Sequence, residues 1–101
     1  MPDKMVNKTG HVRLTGRLVC RYASDIELVQ THLAEHVRLT RTEPGCVSFE
    51  VFQSEDPLIW YVEESFLDKE AFEFHQKRTR ASLWWTATAS IPRDYTVTGL
   101  E

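Results

Sequence analysis

Cysteine is scarce in this 101-residue chain: only Cys20 and Cys46 are present. Two cysteines are too few for a disulfide framework, and neither has metal-ligand spacing, so no metal centre is expected. Long apolar runs are missing as well. No window approaches the roughly 20 apolar residues that a bilayer-spanning helix needs. The opening residues MPDKMVNKTG are polar, without the apolar middle of a signal peptide, which leads to the expectation of a cytoplasmic protein with no membrane partner. A large excess of one sign of charge is missing too, with 12 basic against 15 acidic residues. The formal net charge is −3, and basic residues are scattered rather than interleaved with aromatics, so no nucleic-acid partner is expected. Phosphate loops, dinucleotide fingerprints, a Cys-x-x-Cys-His haem attachment and a Gly-x-Ser-x-Gly elbow are all absent, and no cofactor is expected.

The length allows one domain with a modest core. Residues 1–10 read as a loose arm and residues 11–101 as a single domain. From His11 the chain alternates. Val12, Leu14, Leu18, Cys20 and Tyr22 fall on one side, and Arg13, Thr15, Arg17 and Arg21 on the other, which predicts a strand covered on one face. Ser24 followed by Glu27 resembles a capping box. After it, Ile26, Val29, Leu33 and Val37 recur at helical spacing and predict a buried stripe that ends near Thr42, because Pro44 and Gly45 break the helix. Cys46 to Gln53 reads as a second strand with Val47, Phe49 and Val51 on one face, and Leu58 to Ser65 as a third, the two forming a hairpin. Asp68 suits the N-cap of a helix over Lys69 to Thr79. The segment ASLWWTATAS is compatible with a short helix or an irregular stretch, and RDYTVTG with a last strand.

The resulting β-α-β-β-α-β order is that of an α+β, ferredoxin-like split βαβ fold, with the first and third strands central in an antiparallel sheet. Cys20 and Cys46 then lie on strands separated by the third and remain free thiols. Both main helices cover one face. The other, carrying Arg17, Val19 and Arg21 beside Ile59, Tyr61 and Glu63, is a contact surface that predicts a homodimer.

Around the second helix Ala71, Phe72, His75 and Thr79 share one side, which puts His75 in the buried stripe. Two readings stand: a core histidine with satisfied ring nitrogens, or a base at the floor of a pocket, for which an unperturbed pKa of about 6.5 is suitable. Strand parity turns Glu64 to the same side as Trp60 and Val62. A carboxylate there needs a partner, through a structural bond to the backbone, Arg78 or Arg80, or by orienting His75. The aromatics Trp60, Tyr61, Phe66, Phe72, Trp84 and Trp85 are candidates for core, interface or pocket wall. His32 to His36, HLAEH, fits a zinc-protease pattern formally. With His32 and Glu35 off the buried stripe and no third ligand in view, a solvated helix face is the better reading.

The run EPGCVSFEVFQSEDPLIWYVEESFLDKEAFEFH resembles the antibiotic biosynthesis monooxygenase family of dimeric α+β barrel proteins. The features are EPGC-x-x-F, an aromatic-apolar-Glu strand ending at Glu64, then DKEAF and His75, and the likeness extends over roughly Val12 to Tyr95. It implies oxidation of a small aromatic or quinol-type substrate by O2 with no flavin, haem or metal. His75 would be the proton acceptor and Glu64 its orienting carboxylate. Trp60, Phe72 and Trp84 would serve as pocket walls, with Tyr61 and Arg80 as polar contacts. Many members carry a second histidine in a His…Pro-His run, where this chain has Arg80, a residue that stabilises anions but is no base near neutrality. That departure disfavours a phosphorylated sugar substrate. Haem degradation is disfavoured because the first strand has no Asn, His75 stands where those relatives have Trp, and no later histidine follows. An isomerase or lyase on the same scaffold and a non-catalytic ligand-binding dimer are the alternatives.

Overall fold

The computed structural model describes residues 11–100; the arm expected over residues 1–10 lies outside the described residues, as does Glu101. The elements are β1 (Val12–Val19), α1 (Ala23–Arg41), β2 (Cys46–Gln53), β3 (Ile59–Phe66), α2 (Lys69–Arg80), α3 (Leu83–Thr88) and β4 (Arg93–Thr98). The segment ASLWWTATAS is therefore helical in its middle. All strand pairs are antiparallel, in the order β2-β3-β1-β4. This is the α+β ferredoxin-like arrangement expected from the sequence, with β1 and β3 central. Cys20 and Cys46 are both free. Among the described residues no helix is long and apolar enough to cross a membrane.

The alternation in β1 does what period two requires. Val12, Leu14 and Leu18 are buried, while Arg13, Thr15 and Arg17 are exposed. Gly16 has a specific task, because a Cβ there would strike the Asp94 carbonyl oxygen and the Tyr95 ring. Its absence lets β4 lie close against β1, with Gly16 opposite Tyr95. On β3, Trp60, Val62 and Glu64 point toward the helices and Tyr61 and Glu63 away, as parity predicts. On β2 the expected face is interrupted. A bulge between Cys46 and Ser48 turns Val47 outward, so it does not share the buried side with Phe49.

Two features of α1 differ from expectation. Ser24 does not form a capping box: the helix starts at Ala23, with Tyr22 as a cap that contributes no side-chain bond. Asp25 organises this corner instead, its carboxylate accepting from the Arg21 backbone N at 2.9 Å and from Arg21 Nε at 3.0 Å. The Arg21 side chain holds the Asp25 carboxyl below the usual carboxylate range. Arg21 thus lies past the end of β1 and serves the helix start rather than the bare sheet face. The buried residues of α1 are Asp25, Val29, His36 and Thr40, with Ile26 and Leu33 half-buried. The stripe is rotated from the predicted one because α3 packs over the His36 side, leaving Leu33 and Val37 along an open groove with Trp60.

At α2, Asp68 is the N-cap, its Oδ1 accepting from the Ala71 N–H at 2.8 Å. Phe66, fully buried, packs edge-on against Phe72 with centroids 5.8 Å apart, and 4.8 Å from the His75 ring. The opposite sheet face is uncovered by helices. Arg17 there is opposite Tyr61 and Val19 opposite Ile59, while Phe52 and Tyr61, about half exposed, lie 5.7 Å apart.

Candidate functional site

The helical layer meets the sheet around a cavity of about 170 Å³. Leu14, Val51, Val62, Glu64 and Tyr95 form its sheet side, and His36, His75, Thr79, Trp84 and Trp85 its helical side, with Arg80 and Arg93 also in the lining. Position decides membership. His75 is one turn before Thr79 and two turns before Ser82, which caps α3 and so presents Trp84 to the same space.

His75 is 2% exposed. Its Nδ1 lies 3.1 Å from Glu43 Oε2, in the loop between α1 and β2. Glu43 is itself held by Arg78 Nε, and Arg78 Nη2 donates to Thr40 Oγ1 at 2.9 Å. A carboxylate in an ion pair is an acceptor, so the partners assign the proton to Nδ1 and leave Nε2 with a lone pair. Nε2 has the Thr79 hydroxyl at 3.3 Å as its nearest partner. Burial lowers the His75 pKa, and the Glu43 hydrogen bond and charge oppose that shift. Near neutrality the ring is therefore uncharged and able to accept a proton.

Glu64 stands 3.7 Å from His75 Nε2, beyond hydrogen-bond range, and its Oε1 has no partner. The carboxylate that hydrogen-bonds His75 is thus Glu43, and Arg78 serves Glu43 rather than Glu64. Burial, with the Glu43 charge in second place, pushes the Glu64 carboxyl up to about 8, so it is protonated and neutral at pH 7. His36 is 4% exposed, not solvated. Its ring stacks on Trp84 with centroids 4.8 Å and planes 3° apart, and lies edge-on to Phe49. Its Nδ1 lacks a partner, and burial lowers its pKa to about 3. Arg93 is fixed by the Thr88 carbonyl (2.7 Å) and hydroxyl (2.9 Å) and stacks over Trp85. The neighbouring Tyr95 phenol is pushed up to about 12 by burial. Among the described residues no group of three His, Cys, Asp or Glu side chains is disposed to hold a metal ion.

Of the residues singled out from the sequence, His75, Glu64, Arg80 and Trp84 meet at this cavity. Three do not. Trp60 shares the face of Glu64 but is four residues away along β3, beside Gln30, Leu33 and Val37. Tyr61 is on the bare face, and Phe72 packs into Phe66. Sequence reasoning passed over Glu43, His36, Arg93 and Tyr95. Glu43 lies inside the EPGC run, but its service to a histidine 32 positions later has no local signal. His36 was set aside with HLAEH because its burial comes from α3.

The family model for antibiotic biosynthesis monooxygenases matches residues 23–84. No curated protein matches the sequence. Solved structures share the fold at low identity. Rv0793 from Mycobacterium tuberculosis is 22% identical, with a TM-score of 0.69 over 87% of this chain and 92% of that one. A conserved protein from Methanosarcina mazei is 14% identical, with a TM-score of 0.74 over 94% and 97%. SnoaB, a cofactor-independent oxygenase from Streptomyces nogalater, is 15% identical, with a TM-score of 0.69 over 88% and 91%. With residues 23–84 spanning most of its folded elements, this chain belongs to the antibiotic biosynthesis monooxygenase family.

Proposed function

We propose that the protein is a cofactor-independent monooxygenase that oxidises a small phenolic or quinol-type ring with O2, and that it works as a homodimer. The observation that carries the reading is His75: an uncharged, buried imidazole, anchored through Nδ1 by Glu43, with Nε2 in an aromatic-walled cavity where its one partner is the Thr79 hydroxyl, at a long 3.3 Å. The size of the cavity is in keeping, since an engineered apolar cavity of about 150 Å³ holds benzene. The fold shared with SnoaB supports it further.

In this scheme His75 Nε2 takes the phenolic proton. The phenolate reduces O2 by one electron, and the radical pair joins at a ring carbon bearing hydrogen to give a peroxide. His75 protonates the outer peroxide oxygen and then takes the C–H proton as the O–O bond breaks; the hydroxide released collects that proton and leaves as water. One phenol and one O2 give one quinone and one water. The protein contributes orientation, exclusion of water and partners for negative charge. Arg80 and the neutral Glu64 are the groups for that last task, and Trp84 is a wall. The half-exposed Val19, Ile59, Tyr61 and Phe52 of the bare face supply the dimer contact.

Oxygen uptake by metal-stripped protein against a panel of phenols and quinols tests the proposal, with His75→Ala alongside. Uptake above the spontaneous rate, falling at least 100-fold in the variant, is expected; unchanged uptake in His75→Ala refutes it. A second reading, an isomerase or lyase, draws on the neutral Glu64 carboxyl and the His75 base facing one another as acid and base. It predicts product in the absence of oxygen.

A further inference from the structure

A second cavity, of about 200 Å³, lies between α1 and α3, bounded by Thr31, His32, Glu35, Leu39, Ser82 and Leu83. It shares two residues with the His75 cavity: His36 and Trp84 line both. The two rings, stacked face to face at 4.8 Å, are thus a common wall. On one side is the buried His75 and on the other a space that reaches the surface at Leu83, which is 75% exposed.

Among the described residues no side-chain hydrogen bond ties down the wall on the His36 side. His36 Nδ1 is buried without a hydrogen-bond partner, although nearly all buried polar atoms find one. Its ring is also uncharged across the working pH range. Contact with Trp84 and the edge-on Phe49 therefore accounts for its position, and a ring of the right shape could replace either partner in the stack. Trp84 in turn rides on a six-residue helix whose start is capped by Ser82 and whose Thr88 hydroxyl bonds back to the Trp84 carbonyl.

We infer that the His36–Trp84 stack sets the size limit of the substrate: closed, it restricts the His75 cavity to single-ring phenols, and its removal joins the two cavities into a site for three-ring compounds of the anthrone type. This rests on the reading of the His75 cavity as the substrate site. The stack stands across the path by which a fused-ring compound would extend from His75 into the space between α1 and α3. A one-ring compound needs no such room.

The test is anaerobic calorimetric titration with hydroquinone and with anthrone, using wild type, Trp84→Ala, His36→Ala and the stack-preserving Trp84→Phe. Wild type and Trp84→Phe are expected to bind hydroquinone at least tenfold more tightly than anthrone. Trp84→Ala, or His36→Ala should the former fail to fold, is expected to shift that ratio at least tenfold toward anthrone. Equal affinities in wild type, or a ratio unmoved in both alanine variants, overturns the inference. Absence of binding by either compound to any of the proteins overturns it together with the cavity assignment. Binding as expected without any oxygen uptake overturns the proposed oxidation alone, because titration without oxygen reads only the fit.

Discussion

Replacing Glu64 with Gln offers a quantitative check on the buried acid. In the folded chain its carboxyl titrates at about 8 rather than the usual 4.5, because burial disfavours the charged form. Across that interval the folded chain holds a proton that the unfolded chain has released, so the group makes stability fall as pH rises. At roughly 1.4 kcal/mol per pH unit the loss reaches about 3 kcal/mol by pH 6.5 and about 5 kcal/mol above pH 8, as upper limits. His36 acts in the opposite direction. Its pKa is lowered from 6.5 to about 3, so the unfolded chain binds the extra proton and stability rises with pH up to 6.5. Between pH 4.5 and 6.5 the two slopes cancel in the wild type. Glu64→Gln, nearly isosteric with the protonated acid, removes one of them. Urea denaturation at pH 5, 6.5 and 9 should therefore give similar midpoints for the two proteins at pH 5. At pH 6.5 and 9 the variant should be more stable by a growing margin, with equal denaturant slopes. A margin independent of pH, or a variant less stable at pH 9 than at pH 5 relative to wild type, would refute the reasoning.

Other expectations follow from particular contacts. Glu43→Gln breaks the buried link between His75 and Arg78 and should cost about 3 kcal/mol in denaturation. The same change should lower any turnover that depends on His75, whereas Glu35→Gln, an exposed control, should change neither. Asp68→Ala removes the cap of α2 and should cost about 1 kcal/mol in thermal or urea melts. Tyr61→Asp places a charge on the bare sheet face. If that face is the dimer contact, sedimentation should show a monomer at concentrations where wild type is paired, and an unchanged mass would exclude the face.

The fold was legible because each central element announces itself with one unbroken period. Val12, Leu14 and Leu18 keep one parity across Gly16, and the parity of β3 follows from Trp60 and Val62 alone. The helix α1 was harder for a physical reason. Its buried stripe contains Asp25, His36 and Thr40, and a period drawn through apolar residues cannot register polar ones that are buried by later parts of the chain. Val47 was misassigned because a bulge adds a residue without altering composition. Around the candidate cavity, helical spacing turned His75 to the buried side, but its hydrogen-bond partner did not follow from strand parity. Parity brought Glu64 to the correct face, while hydrogen bonding went to Glu43, in a loop whose path no periodicity describes. Trp60 had the correct face and the wrong end of it.

The placement of β1 bears on how the polypeptide emerges during synthesis. Among the described elements this strand comes first, yet both of its neighbours come late: Val12 lies opposite Phe66, and Leu18 opposite both Trp60 and Arg93. A nascent chain that has passed only α1 and β2 has no partner for either edge of β1. The backbone N–H and C=O groups along both edges must wait, unpaired, for β3 and then β4. Such non-local pairing is slow and leaves strand edges open to other chains. Chains stalled behind a linker that exposes them only as far as Pro92 should accordingly aggregate or recruit chaperones, and protection should appear abruptly once the exposed part extends to Thr98.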